Sequence, residues 1–397
     1  MKMIEKYTIL LSVAVCFAIG CTKPYNPKVI SSANNYLVVE GTINTGGDST
    51  MIKLSRTVNL NAATTTNPVA DATVAIQDDQ NQSYSLQSLN NGYYTSPILN
   101  LVNTRKYRLS ITTSDGKIYL SDYVTPITSP PIDSIGFNVV NNKQQGAGVQ
   151  IYLNTHDPNN NTHYYHWDYV ETWVFHAKYD SQYVSDGTEI VLRTLAQQIY
   201  ECYGNSISNN ILLGSSAKLS QDVISQAPIT FIPSTSEKIE TRYSINIKQY
   251  ALTADAYNYF QLLKQNTEEL GSIFDAQPSQ LTGNIHCTTD ATLPVIGYIS
   301  AGTIQQKRIY INQTQLPVWI PTYPYDCEVD SDYFATPTLP PVNQVQNNLI
   351  PLPTSNLALS QFFLPGGRFP AGYLATDIDC ADCTIRGTIT KPSFWQN

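Results

Sequence analysis

Apolar and polar residues alternate along much of this chain with a period of two, the pattern of β-strands whose two faces meet different surroundings. Tyr36 to Ile43 is a β-rich run, Met51 to Val58 alternates with Ile52 and Leu54 on one face, and Ala72 to Ile76 sets Val74 and Ile76 together. Gly, Asn and Asp turns separate these runs. Arg105 to Thr113 and Lys117 to Val124 flank Ser114-Asp115-Gly116. Asp-Gly between two strands predicts a hairpin, because a type I′ turn needs positive φ at both central positions. Residues 36–125 are therefore expected to form a small antiparallel β-sandwich. Pro126, Pro130 and Pro131 then make a hinge poor in backbone donors, a natural domain boundary.

A second domain is expected over 132–397. It opens with strands at Ile135 to Val140 and Gly148 to Leu153, followed by the longest strand candidate, His163 to Lys178. There His163, Tyr165, Trp167, Tyr169, Glu171, Trp173 and Phe175 share one face, and Tyr164, His166, Asp168, Val170, Thr172, Val174 and His176 the other. The first face is heavily aromatic. It reads as sandwich core or as a partly exposed stacking platform for a peptide or glycan, with Tyr165, Trp167, Tyr169 and Trp173 as the candidate ligand-binding residues. One helix interrupts the strands near 254–273. Thr253 caps it, Asp255 sits at its positive end, and Ala256, Tyr259, Phe260, Leu263 and Leu270 recur at helical spacing, a stripe suited to covering a sheet. From Pro317 to Pro370 the brief apolar runs among Pro, Tyr and Asn predict long ordered loops.

The amino terminus follows another pattern. Lys2 and Lys6 precede an almost uncharged apolar run from Tyr7 to Ile19, and Gly20 leads directly into Cys21. That order predicts a lipoprotein signal peptide over residues 1–20, with Cys21 as the acylated first residue of the mature chain. The run is about 13 residues, short of the roughly 18 that span a bilayer, which makes a retained anchor the weaker alternative. Ala18 stands where Leu is usual, three places before the cysteine. Residues 21–35, with Pro24 and Pro27, read as a tether. No acidic cluster follows Cys21, so either face of the membrane suits the anchor.

Composition supports an extracytoplasmic, mainly β chain. Only 14% of residues are charged while there are 27 tyrosines, as expected of strands with polar but uncharged faces. A formal charge of −8, spread without long acidic or basic blocks, argues against nucleic-acid or anionic-lipid binding by a basic patch. Once Cys16 leaves and Cys21 takes lipid, Cys202, Cys287, Cys327, Cys380 and Cys383 remain, an odd set that leaves a thiol free or paired with another chain. Cys327 with Cys380 or Cys383 is the candidate disulfide, its connectivity open. A redox role for Cys380-Ala381-Asp382-Cys383 is disfavoured, because the strand-like 384–389 follows it rather than a helix. Structural zinc lacks further ligands nearby, as no histidine follows His286.

Chemistry is sparse. His166 and Asp168 share a face and form half a metal site, but His176 lies roughly 30 Å along the strand and cannot complete it. Nucleophile-elbow, zinc-helix, phosphate-loop and dinucleotide patterns are all missing. Neither catalytic residues nor a metal or cofactor is expected, and the chain reads as a non-enzyme. Asp48-Ser49-Thr50 and Asp133-Ser134-Ile135 resemble the O-glycosylation sequon of Bacteroidota envelope proteins, which makes Ser134 the candidate acceptor.

Two resemblances organise these observations. Pro68 to Val74, Asn91-Gly92-Tyr93-Tyr94 and Tyr107 to Ile111 resemble, in order, the carboxypeptidase-regulatory, transthyretin-like module. A longer set resembles the Bacteroidota outer-membrane lipoproteins grouped as domain of unknown function 4249. It comprises Tyr36 to Gly41 with Ile52 to Arg56, Tyr164 to Trp167 with Glu171 to Trp173, Tyr243 to Ile245 with Gln249 to Thr253, Ile273-Phe274 with Pro278-Ser279, Gly283 to Ile285, Gly297-Tyr298, and Cys380 to Cys383 with Lys391 to Trp395. Tyr203 departs from that family, which tends to have Trp after the cysteine. Its members are commonly encoded beside TonB-dependent transporters. The resemblance thus implies a lipid-anchored outer-membrane protein, on the cell surface or the periplasmic face, that binds substrate for such a transporter or caps it. The alternative is a structural or adhesive envelope lipoprotein.

Overall fold

The computed structural model describes residues 35–58, 66–268, 281–323 and 325–396. The expected signal peptide, Cys21 and all of the expected tether except Asn35 lie outside the described residues. Strands hold 44% of the residues and helices 11%, so the chain is mainly β.

The first seven strands are β1 (Leu37–Asn44), β2 (Met51–Arg56), β3 (Thr73–Asp78), β4 (Ser83–Ser88), β5 (Tyr93–Thr95), β6 (Tyr107–Thr112) and β7 (Ile118–Ser121). The middle of the chain gives β8 (Ile132–Asn142), β9 (Gly146–His156), β10 (Tyr164–His176), β11 (Tyr183–Ser185), β12 (Ile190–Leu192), β13 (Glu201–Ile207), β14 (Leu212–Ser215), β15 (Val223–Pro233) and β16 (Arg242–Ala251). Helix α1 (Ala254–Thr267) leads to β17 (Ile285–Cys287), β18 (Val295–Gly297), β19 (Ser300–Gly302) and β20 (Ile304–Asn312). Then come β21 (Asp330–Tyr333), β22 (Asn356–Phe362), β23 (Gly372–Asp377) and the short α2 (Ile378–Ala381).

The first sheet runs β17-β7-β6-β3-β4-β5-β2-β1-β18, with β19 also on β1. Its two halves enclose one core, in which Leu37, Ile52, Leu54 and Tyr94 meet Val74, Ile76, Leu109, Ile111 and Tyr119. Period-two alternation accounts for this, since each strand turns its apolar set inward and its Ser, Thr and Gln outward. The hinge prolines mark a bend in the chain path but not the limits of this sheet. Residues 285–302 return to it: β17 pairs antiparallel with β7, while β18 and β19 run parallel to β1. Buried Asn284 pins the return, its amide donating to the Ile299 carbonyl at 2.9 Å and its oxygen accepting the Ile299 N–H at 2.8 Å. Gly297 lets β18 approach. Its φ is +149°, and a Cβ there would lie 2.4 Å from the Val39 carbonyl oxygen.

Two further sheets face each other across the second core. One is β13-β10-β16-β20 with β14 also on β10, and the other is β15-β9-β8. Val149, Ile151, Leu153 and Ile232 from the second meet Trp167, Trp173, Phe175, Ile245 and Ile247 from the first. Glycines make room for the indoles. Gly204, paired with Trp173, would place a Cβ 2.4 Å from Trp173 Cε2, and Gly214 one 2.3 Å from Trp167 Cη2.

Between Pro317 and Pro370 the expected loops are interrupted by secondary structure. β21-β23-β22 form a small sheet over Val345, Leu349, Ile350, Tyr373 and Ala375, with Tyr183 and Ile190 of the β11–β12 ribbon packed against them. Residues 384–389 are not a strand either, but a 3-10 turn over Cys383–Ile385 followed by a single bridge between Thr388 and Tyr203. Disulfides tie this module down. Cys327 bonds to Cys380, and Cys383 bonds across to Cys202 on β13, which leaves no disulfide inside the Cys-x-x-Cys motif. Cys287 is the free, buried cysteine among the described residues.

Adding a methyl group at Gly204 should force Trp173 from its rotamer. Gly204→Ala is expected to cost about 1–3 kcal/mol, whereas Gly47→Ala, with nothing within 4 Å, should stay within about 0.5 kcal/mol. Thermal unfolding followed by circular dichroism measures both, and equal melting temperatures would contradict the packing described.

Candidate functional site

The aromatic face of β10 does not form a ligand platform. Tyr165, Trp167, Tyr169 and Trp173 are all buried, at 0%, 1%, 8% and 8% exposure. Alternation sets them on one face, and the β15-β9-β8 sheet covers that face. Their polar atoms are engaged inside the core, as buried amphipathic rings require. Trp167 Nε1 donates to Gln249 Oε1 at 2.9 Å and Trp173 Nε1 to Glu237 at 3.3 Å, while the Tyr165 hydroxyl bonds to buried Asp222. Burial and the Asp222 carboxylate drive the Tyr165 phenol far above its ordinary pKa. Glu171, on the same face, is 3% exposed and is held by Lys238 Nζ at 2.5 Å and the Tyr243 hydroxyl at 2.7 Å.

The opposite face of β10 opens on a cleft of about 620 Å³ between the two bodies of the protein. That volume falls within the range of small-ligand sites, which favour such junctions. One wall comes from neighbouring pairs on β10 and β16, with His166 beside Tyr250 and Asp168 beside Lys248. Phe260 and Leu263 of α1 close one side. The Thr253 hydroxyl caps this helix by accepting the Ala256 N–H at 3.1 Å, and Ala256, Tyr259 and Phe260 of the expected stripe lie against the sheets, while Leu270 and the rest of the expected helix beyond Glu268 lie outside the described residues. The other wall is the β1–β2 surface with Glu40, Met51 and Lys53, extended by Tyr298 after β18. Ser208, Asn209 and Asn210 of the β13–β14 loop reach in from one end.

His166 is the most constrained group of the cleft. Its ring stacks on Phe260 at 5.1 Å between centroids and tilts against Tyr250 at 5.5 Å. Burial lowers its pKa, against a weaker pull upward from Asp168, whose oxygen lies 3.6 Å from Nε2. Tyr250 is pushed well above the ordinary phenol value by burial and by Asp168. Tyr259 behind it is pushed up to about 12, mainly by burial. Glu40 and Lys53 pair at 2.7 Å on the facing wall. Among the described residues Lys248 makes no ion pair, so one ammonium group faces the cleft uncommitted.

The remaining sequence candidates lie elsewhere. His176 bonds Glu240 at 3.3 Å and tilts against Tyr200, away from His166. Among the described residues no group of three or more His, Cys, Asp and Glu side chains is placed to hold a metal ion. Ser134 is exposed on β8, with its hydroxyl accepting an Asn154 N–H at 2.8 Å. Cys21 lies outside the described residues. Sequence reasoning missed the β1–β2 wall of the cleft, because no local pattern reports which distant strands face each other; the outward pair His166 and Asp168 was its one visible sign.

Fold and cleft together define a mainly β protein of two sheet-built bodies with a ligand-sized opening between them. The chain belongs to the family described as domain of unknown function (DUF4249), which it matches over residues 22–308. Every residue lining the cleft falls in that span, and the C-terminal module falls outside it. Comparison with curated proteins gives no match. The solved BSP domain of a biofilm-associated protein aligns with 71% of this chain at 7% identity and a TM-score of 0.14, too distant to carry an argument. The chain spans 60% of the length of that structure.

The lowered pKa of His166 has a definite sign. Its folded value lies below the unfolded one of about 6.5, so the stability it contributes is complete above that pH and is lost as pH falls toward the folded value. Between pH 7.5 and 5 the wild type should therefore lose more melting temperature than His166→Phe. Identical losses would show that His166 is not held neutral.

Proposed function

We propose that this protein is an outer-membrane lipoprotein, anchored through Cys21, that binds a substrate for a TonB-dependent transporter or caps that transporter. The cleft between the two bodies carries the reading. It combines aromatic surface from Phe260, Tyr250 and Tyr298 with the amides of Asn209 and Asn210 and with groups of both charges on each wall. Opposite charges beside aromatic rings suit the charged termini and side chains of a short peptide better than an uncharged glycan. The basic, apolar, Gly-Cys order at the amino terminus supports lipid anchoring. Disulfides at Cys202–Cys383 and Cys327–Cys380 fit an oxidising compartment outside the cytoplasm.

Two measurements test the reading. Calorimetry of the purified protein against a mixed short-peptide pool should give saturable binding that Lys248→Gln weakens roughly tenfold and Phe260→Ser weakens further, with oligosaccharides inert. Solubilisation of tagged protein from its native membrane should bring down a β-barrel transporter. Neither binding nor a barrel partner would leave the structural, adhesive reading in its place.

A further inference from the structure

The C-terminal module carries a surface of a different kind. Tyr333 at the end of β21 and Phe362 at the end of β22 both register with Gly372, so loops 334–342 and 363–371 emerge at one end of the small sheet. From them Leu339 (93% exposed), Phe369 (84%), Phe363, Leu364, Val342 and Phe334 face solvent. The loops are bonded into place. Phe334 N–H donates to the Ala371 carbonyl at 2.9 Å, Ala371 N–H to that of Phe362 at 2.8 Å, and Thr336 N–H to that of Val342 at 3.0 Å. The apolar side chains thus sit on an ordered tip at one end of the sheet, and apolar side chains exposed in such number at one place mark an interaction site.

Charge and backbone chemistry say what covers it. Arg368 is the only charged residue of the two loops, and neither contains an acid. Pro337, Pro340, Pro341, Pro365 and Pro370 have no N–H to leave without a partner. Loops with one arginine and no carboxylate meet lipid phosphates without repulsion, and their exposed rings and leucines suit the headgroup–acyl boundary, where water still reaches the remaining backbone donors. Asp326, Glu328, Asp330 and Asp377 gather toward the other end of the module, away from any anionic surface the tip would meet. We propose that this tip inserts shallowly at the headgroup–acyl boundary of a phospholipid bilayer, with Arg368 at the phosphates. It gives the protein a membrane contact that depends on neither Cys21 nor the ligand cleft.

The full-length protein carrying Phe369→Trp, mixed with vesicles of phosphatidylethanolamine and phosphatidylglycerol brominated on their acyl chains, tests the tip directly. Emission of the new indole should fall roughly twofold, while that of Ile389→Trp, exposed outside both loops, should hold. Adding Leu339→Asp and Phe363→Asp to the Phe369→Trp protein should restore the emission without changing its melting temperature; should that pair impair folding, Leu339→Ser alone serves. Equal quenching at 369 and 389 overturns the proposal. So does a tip that escapes quenching in vesicles yet cross-links to a protein in intact cells.

Discussion

The structure depends on burying the aromatic face of β10 without stranding its polar atoms. Tyr165, Trp167, Tyr169, Trp173 and Phe175 give one strand enough apolar surface to seat a whole opposing sheet, each ring contributing about 1.5–3 kcal/mol relative to exposure. An indole N–H or phenol left unpaired in that core would cost a comparable amount. The partners therefore have to come from elsewhere in the chain. Asp222 reaches Tyr165 from the loop before β15, Glu237 reaches Trp173 from the turn before β16, and Gln249 reaches Trp167 from β16 itself. Meeting these needs fixes which elements surround the core.

Gln249 extends the constraint to the hinge. Fully buried, it accepts from Trp167 through its oxygen, and its amide donates to the Pro130 carbonyl at 2.8 Å and to Thr155 Oγ1 at 3.0 Å. The Ser129 hydroxyl adds a bond to the Gln249 carbonyl at 3.4 Å. The segment joining the two bodies is thus fastened to the second core rather than left as a swivel. On the same strand, Lys248 and Tyr250 point the other way, into the cleft. A register slip of one residue would move Gln249 out and its neighbours in, so the packing that anchors the hinge also presents the cleft wall.

Local pattern made the strands legible and left their company obscure. The period of two shows that Tyr165, Trp167, Tyr169 and Trp173 share a face, but it carries no information on whether that face meets a sheet or a ligand. Residues 285–302 fall by position inside the expected second domain, and their short apolar runs carry no local signal of where they pair. Only their pairing with β7 and β1, more than 150 residues away in sequence, assigns them to the first. Strand β21 is Asp-Ser-Asp-Tyr, with no apolar alternation at all, and forms because β23 lies beside it. Cys383 likewise meets Cys202 through tertiary folding, which spacing along the chain does not encode.

The disulfides give the C-terminal module a different status from the rest. Its own cores are small, with Val345, Leu349, Ile350, Ala358, Tyr373 and Ala375 on one side of the sheet and Leu357, Leu359 and Ala381 in a second cluster, and small cores gain most from covalent staples. Cys327–Cys380 closes it internally, and Cys202–Cys383 fastens it to β13, which pairs directly with β10. Arg386 reinforces that junction by pairing with Glu237 and lying 4.7 Å over the Phe175 ring. The aromatic strand that settles the hinge and the cleft wall thereby also holds the module carrying the exposed loops. A force applied at those loops is transmitted through covalent bonds to the sheet that forms one side of the cleft, so surface and cleft are mechanically joined although they share no residue.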